Sequence, residues 1–136
     1  MKPVTLEDDG YCFACGQKNY SGLRLEFRSE NGKAFAEFIP GKSHQGFKDI
    51  VHGGIIAAVL DEAMMKALLF RGIFAMTARI AVRFRSPLLV GEKSVVEAEI
   101  HTLGGRFIEA SAVLKKDDKV VAIATARMLT PKKHLT

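Results

Sequence analysis

The chain has 136 residues, 48% of them hydrophobic and 26% charged, with a formal net charge of +5. That is the size of one domain whose core needs no disulfide or metal staple, and the composition excludes a disordered chain. Scattered Lys and Arg, no Trp and only two Tyr argue against a nucleic-acid partner, while the mild positive charge suits a small anionic ligand.

The opening residues MKPVTLEDDG lack the apolar stretch of a signal peptide. No apolar run approaches the ~20 residues that span a bilayer. A soluble, cytoplasmic protein with no membrane partner is expected. To about Gly22 the chain reads as an irregular lead segment, broken by Gly10, Gly16, Asn19 and Gly22. Cys12 and Cys15 are the only cysteines, too few for a secreted disulfide framework. Spaced as Cys-Phe-Ala-Cys they form half of a zinc-ligand pattern. No second such pair follows, and only His44, His52, His101 and His134 are at hand to complete a site, within the chain or in a knuckle shared between chains. The plainer reading is a Gly-terminated turn with reduced thiols, so no metal and no cofactor are expected.

Residues 23–29, LRLEFRS, alternate: Leu23, Leu25 and Phe27 on one face, Arg24, Glu26 and Arg28 on the other. Asn31-Gly32 is a hairpin signal, and residues 33–39, KAFAEFI, read as the partner strand. Pro40 through Asp49 is loop-like. From about His52 to Phe70 the period becomes helical, with Ile55, Ile56, Val59, Leu60, Ala63, Met64 and Ala67 recurring, and Gly72 is a plausible stop. The period then returns to two. In MTARIAVRFR, residues 76–85, Met76, Ala78, Ile80, Val82 and Phe84 share one face, and Thr77, Arg79, Arg83 and Arg85 the other. Three further strands follow, within residues 92–102, 106–116 and 119–129, joined at Gly104-Gly105 and Asp117-Asp118. Two strands, a long helix and four strands predict an α+β domain over residues 1–136, one antiparallel sheet of about six strands wrapped around the helix. Its exposed edges and second face predict an oligomer.

The helix carries Asp61 and Glu62 in its middle. Glu62 has Lys66 one turn on, a favourable pair of a few tenths of a kcal/mol. Asp61 has only Ala57, Ala58, Met64 and Met65 as helical neighbours. A carboxylate in that setting is partly desolvated and needs a partner: either a structural contact at a subunit interface, or a catalytic role. Gly53 and Gly54 open the helix. Two glycines there leave a bare backbone with unpaired N–H groups, suited to polarising a carbonyl or holding an oxyanion. Asp61 lies nine residues past His52, ~13 Å along the axis, too far to share a reacting atom with that turn in one chain. A second helix, antiparallel across a two-fold axis, would bring the two together, so the chemistry calls for a dimer with shared sites.

VHGG followed by LDEAM, between a hairpin and a four-strand run, with the VRFRSP strand and the CFACG…GLRLEF opening, resembles the hotdog-fold acyl-CoA thioesterases, in their phenylacetyl-CoA branch. The resemblance implies dimers with continuous sheets, often tetramers, acyl-CoA as substrate, and active sites between subunits. It places Asp61 as general base or nucleophile, and Gly54 with Gly53 at the carbonyl-polarising N–H. Thr77 falls where some members position water with a Ser or Thr. His52 is the loop histidine assigned to carbonyl binding or to shaping the turn. Several members have an Asn six residues before that histidine. Here the position is Gly46, with Gln45 beside it to supply an amide.

Arg79, Arg83 and Arg85 read first as a solvated sheet face; at a ligand mouth, Arg83 and Arg85 would meet the phosphates of coenzyme A. Met65, with Met64, Phe70, Phe74 and Met76, fits either an apolar acyl site or the core. Lys132, Lys133 and His134 form a basic tail. Two other activities share this scaffold: acyl-CoA binding without turnover, and dehydration of hydroxyacyl thioesters, against which the His-Gly-Gly turn argues.

Overall fold

The computed structural model describes residues 5–131, so the basic tail lies outside the described residues. Six strands and one long helix follow in the order β1 (Arg28–Glu30), β2 (Lys33–Phe38), α1 (Gly53–Leu69), β3 (Met76–Phe84), β4 (Ser94–Gly104), β5 (Phe107–Lys116) and β6 (Lys119–Leu129). They build one six-stranded sheet in the order β1-β2-β4-β5-β6-β3. Every neighbouring pair is antiparallel. The helix lies across one face.

The face toward the helix is rich in alanine: Ala34, Ala36, Ala98, Ala110, Ala112, Ala122, Ala124 and Ala126 are all buried. These short side chains let α1 approach the sheet closely, and its own Ile56, Val59, Leu60, Ala63, Met64, Ala67 and Leu68 fill the gap. Each large aliphatic residue buried this way contributes roughly 1.5–3 kcal/mol. His52 is the N-cap, its Nδ1 accepting from Gly54 N–H at 2.8 Å. Gly72, at φ +74°, turns the chain away beyond the C-terminal end. Among the described residues no helix is long and apolar enough to cross a membrane.

The fold departs from the sequence pattern at two places. The first strand was expected over residues 23–29, but the ladder begins only at Arg28. Arg24 sits in the left-handed region at φ +52°, which breaks the extended run. Leu23 and Leu25 instead donate their backbone N–H groups to Phe13 and Ala14 of the lead segment, at 2.7 and 2.9 Å. The alternation was a burial pattern, and Leu25 is indeed buried. The second concerns β3. A bulge between Thr77 and Arg79 leaves Ala78 without a partner on β6. Thr77 therefore pairs with the buried Met128 and shares the helix-facing side with Ile80, Val82 and Phe84, whereas Met76 moves to the other side.

β3 is an edge strand, paired on one side only, by β6. Along it Met76, Ile80 and Phe84 remain exposed.

Candidate active site

Asp61 is half-buried on α1, and Thr77 Oγ1 donates to its Oδ1 at 2.6 Å. The bulge at Ala78 makes this contact: a regular strand would turn Thr77 away from the helix. The partner that Asp61 lacked along its own helix thus comes from the edge strand. Thr77 spends its one proton on the carboxylate and keeps its oxygen lone pairs as acceptors. Among the described residues Oδ2 of Asp61 has no donor, which leaves it for a second one.

At the start of the helix the chain turns tightly. His52 N–H donates to His44 O at 2.9 Å and Val51 N–H to Leu88 O at 2.9 Å, which anchors the turn to its surroundings. A Cβ on Gly54 would come within 3.0 Å of His52 Nδ1, and one on Gly53 within 3.4 Å of the Phe84 ring. The absence of side chains at both positions is what keeps this amide turn open. Gly54 N–H is held by the His52 ring, and Gly53 N–H has no partner among the described residues. Gln45 braces the preceding loop, its Oε1 accepting from Asp49 N–H at 3.0 Å. Its NH₂ end has no partner among the described residues. The loop tip carries Phe47, 86% exposed. Nearby, His44 Nδ1 accepts from Gly41 N–H at 2.9 Å, and burial pushes the imidazole below its usual pKa.

The structure joins Asp61 to Thr77, and His52 to Gly54. Met65 is half-buried against the core. Arg83 sits opposite Ile123 on the sheet face away from the helix, where it lines a depression of about 580 Å³ with Lys33, Glu97 and Glu99. Arg85 lies just beyond the end of β3, its backbone N–H on Val121 O at 2.8 Å. Glu62 departs from its expected pairing. It forms no ion pair with Lys66 among the described residues; its Oε2 accepts from the Cys12 thiol at 3.6 Å. Burial first, and then the Glu62 carboxylate, push the Cys15 thiol far up from its usual value. Nothing in the local sequence ties residue 12 to residue 62, so this neighbourhood was invisible to helical spacing.

A long helix laid across one six-stranded antiparallel sheet is the hotdog arrangement. The chain belongs to the thioesterase superfamily, whose family profile matches residues 48–123. It is 30% identical over 123 residues to mouse acyl-coenzyme A thioesterase THEM4, covering 85% of this chain and 53% of that protein. The chain spans about half the length of the curated relatives it matches first. Among solved structures it superposes on the phenylacetic acid degradation-related protein of Ralstonia eutropha JMP134 with a TM-score of 0.72, at 21% identity over 79% of this chain and 86% of that one. It also superposes on a hypothetical thioesterase protein of Streptococcus pneumoniae TIGR4 with coenzyme A, with a TM-score of 0.74, at 14% identity over 78% and 87% of the two chains.

Proposed function

We propose that this protein hydrolyses acyl-CoA thioesters to free acid and coenzyme A, at sites formed between two copies of the chain. The observation that carries the reading is the Thr77–Asp61 hydrogen bond at 2.6 Å, which fixes a half-buried carboxylate whose neighbours along its own helix face are alanine and methionine. In the proposed reaction Asp61 takes a proton from water, and the water oxygen attacks the thioester carbonyl. Thr77, and Gln45 through its free amide end, orient that water. The developing oxyanion rests on the N–H groups of Gly53 and Gly54 of the partner subunit. For Gly54 to serve, the His52 ring must release its N–H to the acyl oxygen. The intermediate collapses with cleavage of the carbon–sulfur bond. The thiolate leaves and takes up the proton that Asp61 removed from water, giving the free thiol of coenzyme A and restoring the carboxylate. Direct attack by Asp61, through a mixed anhydride that water then opens, uses the same groups.

The second copy is expected along β3, whose open edge and exposed Met76, Ile80 and Phe84 suit strand pairing into a continuous sheet. Further pairing of dimers gives a tetramer. Met65 would line the acyl arm, and Arg83 and Arg85 of a neighbouring subunit would meet the phosphates. Two free thiols suit a reducing compartment, the cytoplasm.

Binding without turnover is the competing reading, and one feature favours it: the His52 ring already occupies Gly54 N–H. A thiol-release assay over short, medium, long and aromatic acyl-CoAs separates the two. Asp61→Asn is expected to remove most turnover and leave the oligomer intact. Undiminished hydrolysis by that variant would reject the assignment, and saturable binding with no thiol released by the wild type would favour the competitor.

A further inference from the structure

The lead segment brings its two cysteines to the helix. Cys12 Sγ, Cys15 Sγ and a Glu62 carboxylate oxygen all lie within 4.8 Å of one another, and all three residues are half-buried. The turn that holds the thiols together is tightly closed. Gly16 N–H donates to Cys12 O at 2.8 Å and Lys18 N–H to Gly10 O at 3.0 Å. A Cβ at Gly16 would strike Cys12 N and Gly10 O at 2.5 Å, so only glycine lets the loop return at this point.

We propose that Cys12, Cys15 and Glu62 bind one thiophilic divalent cation of the zinc class, clamping the lead segment to the central helix. Zinc–sulfur bonds of about 2.3 Å and zinc–oxygen bonds of about 2.1 Å at tetrahedral angles put sulfur and oxygen about 3.6 Å apart, and two sulfurs about 3.8 Å apart. The observed separation from Cys12 Sγ to Glu62 Oε2 is 3.6 Å. Two soft thiolates select zinc-class ions over magnesium or calcium. Three protein ligands leave the fourth position to water. On binding, each thiol loses its proton to solvent, so two thiolates and one carboxylate surround a doubly charged ion, a net charge of minus one. Lys66, one helical turn past Glu62, lies where it offsets that charge.

A disulfide between the cysteines explains less. It would take from Glu62 Oε2 the Cys12 thiol that now donates to it and leave the half-buried carboxylate against two sulfurs that cannot donate. The third ligand is the helix carboxylate Glu62 and not one of the histidines. Glu62 is displaced about 100° around the helix from Asp61, so the ion faces the lead segment and its effect falls on stability.

The test uses the full chain, tag-free, reduced and stripped with chelator, titrated with Co²⁺ alone and then with Zn²⁺. The expected result is one Co²⁺ per chain, with thiolate-to-cobalt charge transfer and the intense d–d bands of a four-coordinate ion, displaced by Zn²⁺ with a rise in Tm. Cys15→Ser should remove at least about half of the charge-transfer intensity per bound ion and weaken affinity, and Glu62→Gln should weaken affinity at least ~10-fold. No stoichiometric uptake, or an affinity unchanged by Glu62→Gln, overturns the proposal. Should either variant fail to fold, the wild type decides: Zn²⁺ must protect both thiols from alkylation, and equal alkylation rates with and without the ion refute the site.

Discussion

Replacing Thr77 with Val keeps the shape of the side chain and removes the hydroxyl that donates to Asp61 at 2.6 Å. A hydrogen bond to a charged group is worth roughly 1.5–3 kcal/mol. Because Asp61 is only half-buried, water recovers part of that, and a loss of about 1–2 kcal/mol is expected. In a domain of this length each kcal/mol moves Tm by about 3–5 °C, so the midpoint should fall by about 3–10 °C. If the same bond orients the carboxylate toward water, the transition state loses a similar amount, and kcat drops about 5–30-fold with KM little changed. Steady-state thiol release and thermal unfolding, run on the same preparation, read both quantities. Thr77→Ser retains a hydroxyl and should recover most of kcat. A Thr77→Val enzyme that loses Tm but keeps kcat within about twofold of wild type would show that the bond only braces the fold.

Gly16→Ala should lower Tm even without metal, because the added Cβ meets the backbone of Cys12 and Gly10 at 2.5–2.6 Å; a loss of about 1–3 kcal/mol in urea unfolding is expected. His44 should make stability depend on pH. Burial depresses its folded pKa below the unfolded value, so the unfolded chain binds the proton more readily. Its contribution is complete above the ordinary value of 6.5 and is lost as pH falls through the lower folded value, when the proton on Nδ1 breaks the bond from Gly41. Urea midpoints across pH 5–8 should fall on the acid side, and His44→Asn should flatten that part of the curve; an unchanged slope contradicts the assignment.

Where burial has a local period, the sequence announces the structure. The helix was expected over His52 to Phe70 and runs over Gly53–Leu69. The last three strands lie within a few residues of their expected bounds. The structure departs from the sequence pattern where one backbone conformation interrupts it. The left-handed Arg24 ends the extended run before β1. The bulge at Ala78 inverts the faces of β3 at its start and so delivers Thr77 to Asp61. Neither residue is a glycine or a proline that would mark the break. The contact of Glu62 with the lead segment spans fifty residues and has no periodic signature; the nearby Lys66 offered a sufficient local explanation that the fold does not use.

The central claim is that a carboxylate from one chain and a glycine turn from another serve one reacting carbonyl. Mixing two inactive variants tests it. Asp61→Asn spoils the carboxylate, and Gly54→Val crowds the amide turn, where even a Cβ would reach His52 Nδ1 at 3.0 Å. When the two are co-refolded or co-expressed in equal amounts, half of the dimers are hybrids, each with one site made from two unaltered halves, and thiol release should return to about a quarter of the wild-type rate. Sites contained within a single chain would give no recovery in the mixture, and that result, like full activity of Gly54→Val alone, would contradict the account.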